Sequence, residues 1–229
     1  MTTANPENDV FYLSRYPIPL TPNEVESYLD RLKSNDEAAK KLIICFIEHR
    51  LNHRYIRPLL HIPKEFKSGF LMMATSCLLI EALQSFYDGK NESNDPNDDA
   101  DDKEKGSEAA FRKFFENKNN KESFNEFREF FPIEPPTKTR RKDRCTFYKH
   151  IRCGILHQAE TTGGCRILRK GPLFSREAKT IKINANLFVK KLAVCLNKYI
   201  ECLQTEECSS QLWKMARRKI EFICKNCRT

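Results

Sequence analysis

At 229 residues the chain is long for one domain and short for two, and with only 7 glycines among many Lys, Glu and Leu its composition favours helix. Lys and Arg outnumber the acids 40 to 31, and the formal net charge of +9 favours a polyanionic partner. The sequence has no P-loop, no GxGxxG and no GxSxG, which excludes the commonest nucleotide-binding and hydrolase motifs.

The opening MTTANPENDVFYLSRYP lacks the basic start and apolar core of a signal peptide, and we read no apolar run as long as the ~20 residues of a membrane span. The expectation is a cytoplasmic protein, with no membrane partner, whose ten cysteines are reduced thiols. Cys45, Cys77, Cys195 and Cys202 fall on apolar stripes and read as small core residues. Cys224 and Cys227 form a lone CxxC with no second ligand pair, so they read as terminal thiols.

Residues 1–20 read as an extended arm. Pro6, Pro17 and Pro19 interrupt any helix, and Phe11, Tyr12 and Tyr16 are placed to pin the arm to a surface. Residues 21–229 read as one helical domain. Thr21, Pro22 and Glu24 make a capping box for a first helix with Val25, Tyr28, Leu29 and Leu32 inward. Ser34 and Glu37 repeat the box and start a second helix to about Arg54, with Leu42, Cys45, Phe46 and His49 on its stripe. His49 and His53 have a metal-ligand spacing, but HRLNH lacks the acid of HExxH, and both read as structural or solvated. Pro58 and Pro63 mark a turn region.

Ser68 to Tyr87 is the most apolar segment and reads as a central core helix. Its acid, Glu81, is placed at the edge of the stripe; the alternative is a basic partner on a facing helix. Residues 90–106 are acidic and nearly without apolar side chains, which predicts a flexible insertion. An EF-hand fails there, because Ala100 and Gly106 stand where glycine and glutamate are needed. Phe111, Phe114 and Phe115, then Phe124, Phe127, Phe130 and Phe131, read as core on two short amphipathic pieces closed by IEPP at 133–136. A basic run follows: Lys138, Arg140, Arg141, Lys142 and Arg144.

The stretch from Cys145 to Gly164, CTFYKHIRCGILHQAETTGG, predicts a helix capped by Asp143 and ended by Gly163 and Gly164. At ~100° per residue, Phe147, Tyr148, Ile151 and Ile155 share an apolar side. Lys149, His150, Cys153, His157 and Glu160 share the other, with Arg152 roughly 140° around from His157. A histidine side chain can take and return a proton, which suits His157 to acid–base work. Arg152 offers a planar fork of donors for phosphate. The pair suits cleavage of a phosphodiester by its own 2′-hydroxyl, so the substrate would be RNA. Arg140, Arg141, Arg144, His150 and Cys153 are the candidate substrate-binding residues around that pair. With no cluster of carboxylates or of His and Cys at ligand spacing, neither a metal nor another cofactor is expected. Both Arg152 and His157 lie off the apolar stripe, so replacing either is expected to change stability by ~0.5 kcal/mol or less.

Downstream, CRIL and TIKI flank a turn at Lys170, Gly171 and Pro172 and predict a small hairpin or short strands. Asn184 caps a long helix carrying Leu187, Leu192, Cys195, Leu196, Tyr199 and Leu203. Ser209 or Ser210 starts a last helix with Leu212, Trp213, Ala216, Ile220 and Ile223, and its KMARRK run is a second basic patch.

The R-x4-H spacing of Arg152 and His157 on a helix resembles the motif of HEPN-domain proteins. The phrase IRCGILHQAETTGG followed by CRI resembles a plasmid- and phage-borne group of small HEPN-like proteins. The likeness spans roughly residues 36 to 204. It implies an all-α antiparallel helical bundle, with the acidic insertion and at most one short β-hairpin added. It also implies an endoribonuclease site at Arg152 and His157, often completed across a homodimer. A toxin–antitoxin or phage-defence role, with an antitoxin or other inhibitory protein as partner, is implied by the resemblance alone. Many active members carry Asn, Asp or His directly after the Arg, where this chain has Cys153, a weaker hydrogen-bonding group. The alternative is a non-catalytic helical module that binds RNA, a nucleotide or a protein.

Overall fold

The computed structural model describes residues 12–13, 19–63, 65–66, 68–91, 106–125, 147–177 and 180–228. Among these residues the fold is mostly helical, with one small sheet. Helix α1 (Pro22–Arg31) opens with the expected box: Glu24 Oε2 accepts from Thr21 N at 2.7 Å, and Thr21 Oγ1 accepts from Glu24 N at 3.3 Å. Helix α2 (Glu37–Leu51) is capped by Asp36, not Ser34. Asn35 turns left-handed at φ 55°, so Ser34 stays in the preceding 3-10 turn and donates to Arg31 O, while Asp36 Oδ1 accepts from Ala38 N and Ala39 N. The helix also runs beyond the expected Arg54. A π-helical stretch (Asn52–Ile56) carries it into α3 (Arg57–Leu60), where Pro58 sits in the first turn and its missing N–H costs little.

Among the described residues of the N-terminal arm, Leu13 ties it to the body, and Tyr12 does not. Leu13 is buried and pairs with Leu20, and its carbonyl accepts from Arg50 and Arg54, while Tyr12 is exposed. Phe11 and Tyr16 lie outside the described residues.

Helix α4 (Gly69–Asp88) is the core helix, packed against α5 (Ser107–Glu116), α8 (Ala185–Thr205) and α9 (Gln211–Asn226). By length and composition α4 qualifies as a membrane span, at a mean hydropathy of 1.4, which corrects the expectation that no run does. Its apolar residues are used differently here: Met72, Met73, Cys77, Leu79, Ile80, Leu83 and Phe86 are buried inside the fold. Phe111, Phe114 and Phe115 of α5 and Phe124, beyond the short α6 (Lys118–Lys121), form an aromatic cluster with Phe147 and Phe188. Phe147 and Phe188 stack at 5.5 Å, and this contact fixes the start of the motif helix against α8. Phe127, Phe130, Phe131, the IEPP segment and residues 92–105 of the insertion lie outside the described residues.

The sheet departs from the expected hairpin. Strands β1 (Cys165–Leu168), β2 (Phe174–Glu177) and β3 (Thr180–Asn184) are ordered β1-β3-β2. CRIL and TIKI pair in parallel, Cys165 with Ile181, and the hairpin partner of β3 is the FSRE strand. A parallel pair cannot close through a tight turn. The loop after β1 is pinned instead by Asn184, whose Nδ2 donates to Gly171 O at 2.6 Å and whose N–H donates to Leu173 O. FSRE shows no alternation of apolar and polar residues, so nothing in its pattern announces a strand. Asn184 caps α8 and Ser210 caps α9, as expected, and Trp213 is fully buried with its Nε1 donating to Leu203 O at 3.0 Å.

Candidate active site

The motif helix runs from Phe147 through a π-helical stretch (Tyr148–Cys153) into α7 (Gly154–Gln158). Phe147 and Ile151 are buried, and Tyr148 and Ile155 pack at the margin of the core, which is the predicted apolar side. π-Turns are rare and concentrate at functional sites. This one alters the expected geometry, because Arg152 lies inside the widened turn and His157 beyond it.

The helix ends earlier than expected, at Ala159, which is left-handed at φ 53°. The next residues fold back over the helix as a hook. Thr162 N donates to His150 O at 3.0 Å, and Thr161 Oγ1 donates to Cys165 O at 2.6 Å, leading straight into β1. His150 Nδ1 lies 2.8 Å from Thr162 Oγ1. Two glycines permit the hook. A Cβ on Gly154 would stand 2.5 Å from Glu160 O, and one on Gly163, at φ 62°, would stand 2.5 Å from the His150 ring. Gly163 is therefore a close-approach residue, and the helix stops without it.

Arg152 is held from two sides. Its Nε donates to Glu81 Oε1 of α4 at 3.0 Å, and its guanidinium carbon lies 5.3 Å from the centre of the Tyr148 ring. The two ion-paired side chains are only 17% and 19% exposed. Burial opposes the charge on Arg152, but Glu81 outweighs it and holds the guanidinium above its ordinary value. Burial also raises the Tyr148 phenol, against the pull of Arg152. Glu81 thus takes the basic partner rather than a place at the stripe edge.

His157 is exposed on the last helical turn and makes no hydrogen bond among the described residues. Cys153 is half-buried beside Tyr148. Arg140, Arg141 and Arg144, with Asp143 and Cys145, lie outside the described residues. The other sequence-singled histidines, His49 and His53, lie against each other with their rings tilted and Nδ1 3.1 Å from Nε2. Among the described residues no three His, Cys, Asp or Glu side chains converge as a metal site would require. Glu81 and Tyr148 are the two site residues that sequence reasoning assigned elsewhere; the available signal was an acid inside the most apolar helix.

His150 lends the hook a pH dependence. Burial, reinforced by Lys149, lowers its pKa, so the folded state binds fewer protons than the unfolded chain below the ordinary histidine range. Its stabilising contribution is present above that range and is lost as pH falls through the lowered value. Thermal unfolding should therefore occur at lower temperature at about pH 5 than at about pH 7. The difference should shrink in His150→Asn without vanishing, because burial and His49 lower His53 in the same direction.

Compared with known proteins, the chain matches no family model, no curated protein and no solved structure.

Proposed function

We propose that this protein is a HEPN-like, metal-independent endoribonuclease, with Arg152 binding the scissile phosphate and His157 moving the proton. The observation that carries this reading is the division of labour on one helix. Arg152 is anchored through Nε and its ring contact, and neither terminal nitrogen donates a hydrogen bond to a described residue. His157, five residues on, is exposed, and its side chain has no hydrogen-bond partner among the described residues. In the proposed reaction His157 accepts the proton of a ribose 2′-hydroxyl. The 2′-oxygen attacks phosphorus, the bond to the 5′-oxygen breaks, and that oxygen takes the proton back from His157. Arg152 stabilises the charge growing on the phosphoryl oxygens. The products are a 2′,3′-cyclic phosphate and a 5′-hydroxyl.

The rest of the resemblance belongs to the same proposal. The helices are read as an antiparallel bundle interrupted by an acidic insertion. The protein works as a cytoplasmic homodimer that brings two motif helices together, in a toxin–antitoxin or phage-defence setting with an inhibitory protein partner. Leu71 and Leu78 on one face of α4 and Leu156 on the motif helix are exposed, at 57%, 48% and 45%, which supports a second copy covering this side. Arg140, Arg141 and Arg144, directly before the motif, supply further phosphate contacts.

Cys153 supports a second reading, a non-catalytic module that binds RNA, a nucleotide or a protein, because a thiol offers the site little hydrogen bonding. Assaying the protein on single-stranded RNA with and without EDTA separates the two. The ribonuclease reading expects cleavage at the same rate in both, and none of a DNA of the same sequence. Activity that stops with EDTA and returns with magnesium contradicts the mechanism.

A further inference from the structure

We propose that Glu81 is a positioning residue of the site: it aims Arg152 so that the two terminal nitrogens of the guanidinium are presented together to one RNA phosphate. The inference rests on the endoribonuclease reading above.

A guanidinium has five donors in one plane, and a carboxylate beside it usually takes two of them as a fork. Glu81 takes one, the Nε–H at 3.0 Å. No described residue accepts from either terminal nitrogen, and neither nitrogen is a buried atom lacking a partner. The far edge of the fork is therefore open, and that edge matches two phosphoryl oxygens. The Tyr148 ring, 5.3 Å from the guanidinium carbon, fixes the plane while Glu81 fixes rotation within it. Both supports are held by packing. Glu81 belongs to the core helix, one turn from the fully buried Cys77, and Tyr148 packs against Phe111 at 5.5 Å. An unanchored arginine must lose its rotamer freedom when it binds; this one has lost it on folding.

The interior of α4 at Glu81 would not need an acid for stability. Replacing both members of a buried ion pair by well-packed apolar side chains is often neutral or stabilising. Keeping a carboxylate against Nε alone is what a positioned phosphate fork requires.

The test compares Glu81→Ala and Glu81→Gln in two backgrounds, Arg152 and Arg152→Lys, reading kcat/KM on a short single-stranded RNA. Misplacing a catalytic contact by about 1 Å costs about 100-fold. Glu81→Ala should lose on that order, and Glu81→Gln, which keeps an acceptor oxygen for Nε, should recover to within about 10-fold of wild type. Lysine has no Nε fork to aim, so in Arg152→Lys the same two changes should add nothing. A loss of equal size in both backgrounds, following the loss of thermal stability, overturns the proposal, as does a Glu81→Ala enzyme that cleaves like wild type. Binding of the same RNA is measured in His157→Ala protein, where Glu81→Ala should weaken it. If the wild type cuts no RNA, the ribonuclease reading falls and this binding arm decides the role of Glu81 alone. Unchanged or tighter binding, or no RNA binding by the parent, overturns it.

Discussion

His157→Ala should cleave RNA about 10²–10⁴-fold more slowly than wild type, the usual cost of removing a general acid–base. Its stability should change by ~0.5 kcal/mol or less, because the ring is exposed and has no hydrogen-bond partner among the described residues. RNA affinity should be close to that of wild type. Arg152→Ala also stops cleavage, but here the structure changes the expectation drawn from sequence. The side chain is mostly buried against Glu81, so its loss leaves a carboxylate without its partner. A hydrogen bond to a charged group contributes about 1.5–3 kcal/mol, and Arg152→Ala should be destabilised on that scale as well as weakened in RNA binding. Single-turnover cleavage, binding and chemical denaturation on the two variants check all of these expectations.

Gly154→Ala should destabilise the protein, against the ordinary trend. Alanine in place of glycine inside a helix normally gains about 1 kcal/mol. Here the new Cβ would stand 2.5 Å from Glu160 O and 3.4 Å from Thr161 Cα, both backbone atoms that cannot swing aside. Relief requires the hook to lift off the helix. That motion loosens the Thr162 N–H bond to His150 O and the entry into β1. Overpacking of this kind costs about 1–3 kcal/mol. Because the hook covers the turn between Arg152 and His157, cleavage should fall with stability. Denaturation midpoints for wild type and Gly154→Ala check the sign directly; a more stable variant would show that the hook is not packed as described.

The sequence was most legible where a local rule acts alone. The capping box at Thr21, the Asn184 cap of α8, the Ser210 cap of α9 and the buried phenylalanines of α5 all follow from spacing. It was least legible where distant segments decide. The pairing of Arg152 with Glu81 joins residues 71 apart in the chain, and the acid's position in an apolar stripe reports only that some partner is needed. Gly163 and Gly164 have the appearance of a helix stop, but φ alone cannot separate a stop from a close approach. The glycine at 163 is required by the His150 ring above it. The π-turn has no compositional signature, so the α-helical geometry used to place Arg152 relative to His157 could not anticipate it. CRIL and TIKI read as a small hairpin or short strands, yet they pair in parallel, and the hairpin partner of β3 is a strand without a periodic pattern.

The most direct measurement is the chemistry of the ends left on a single-stranded RNA after incubation with the purified protein in EDTA. The account predicts 2′,3′-cyclic phosphate and 5′-hydroxyl ends from the wild type, and intact RNA from His157→Ala at the same concentration. Intact RNA from the wild type, 3′-hydroxyl and 5′-phosphate ends, or equal cleavage by His157→Ala would contradict it.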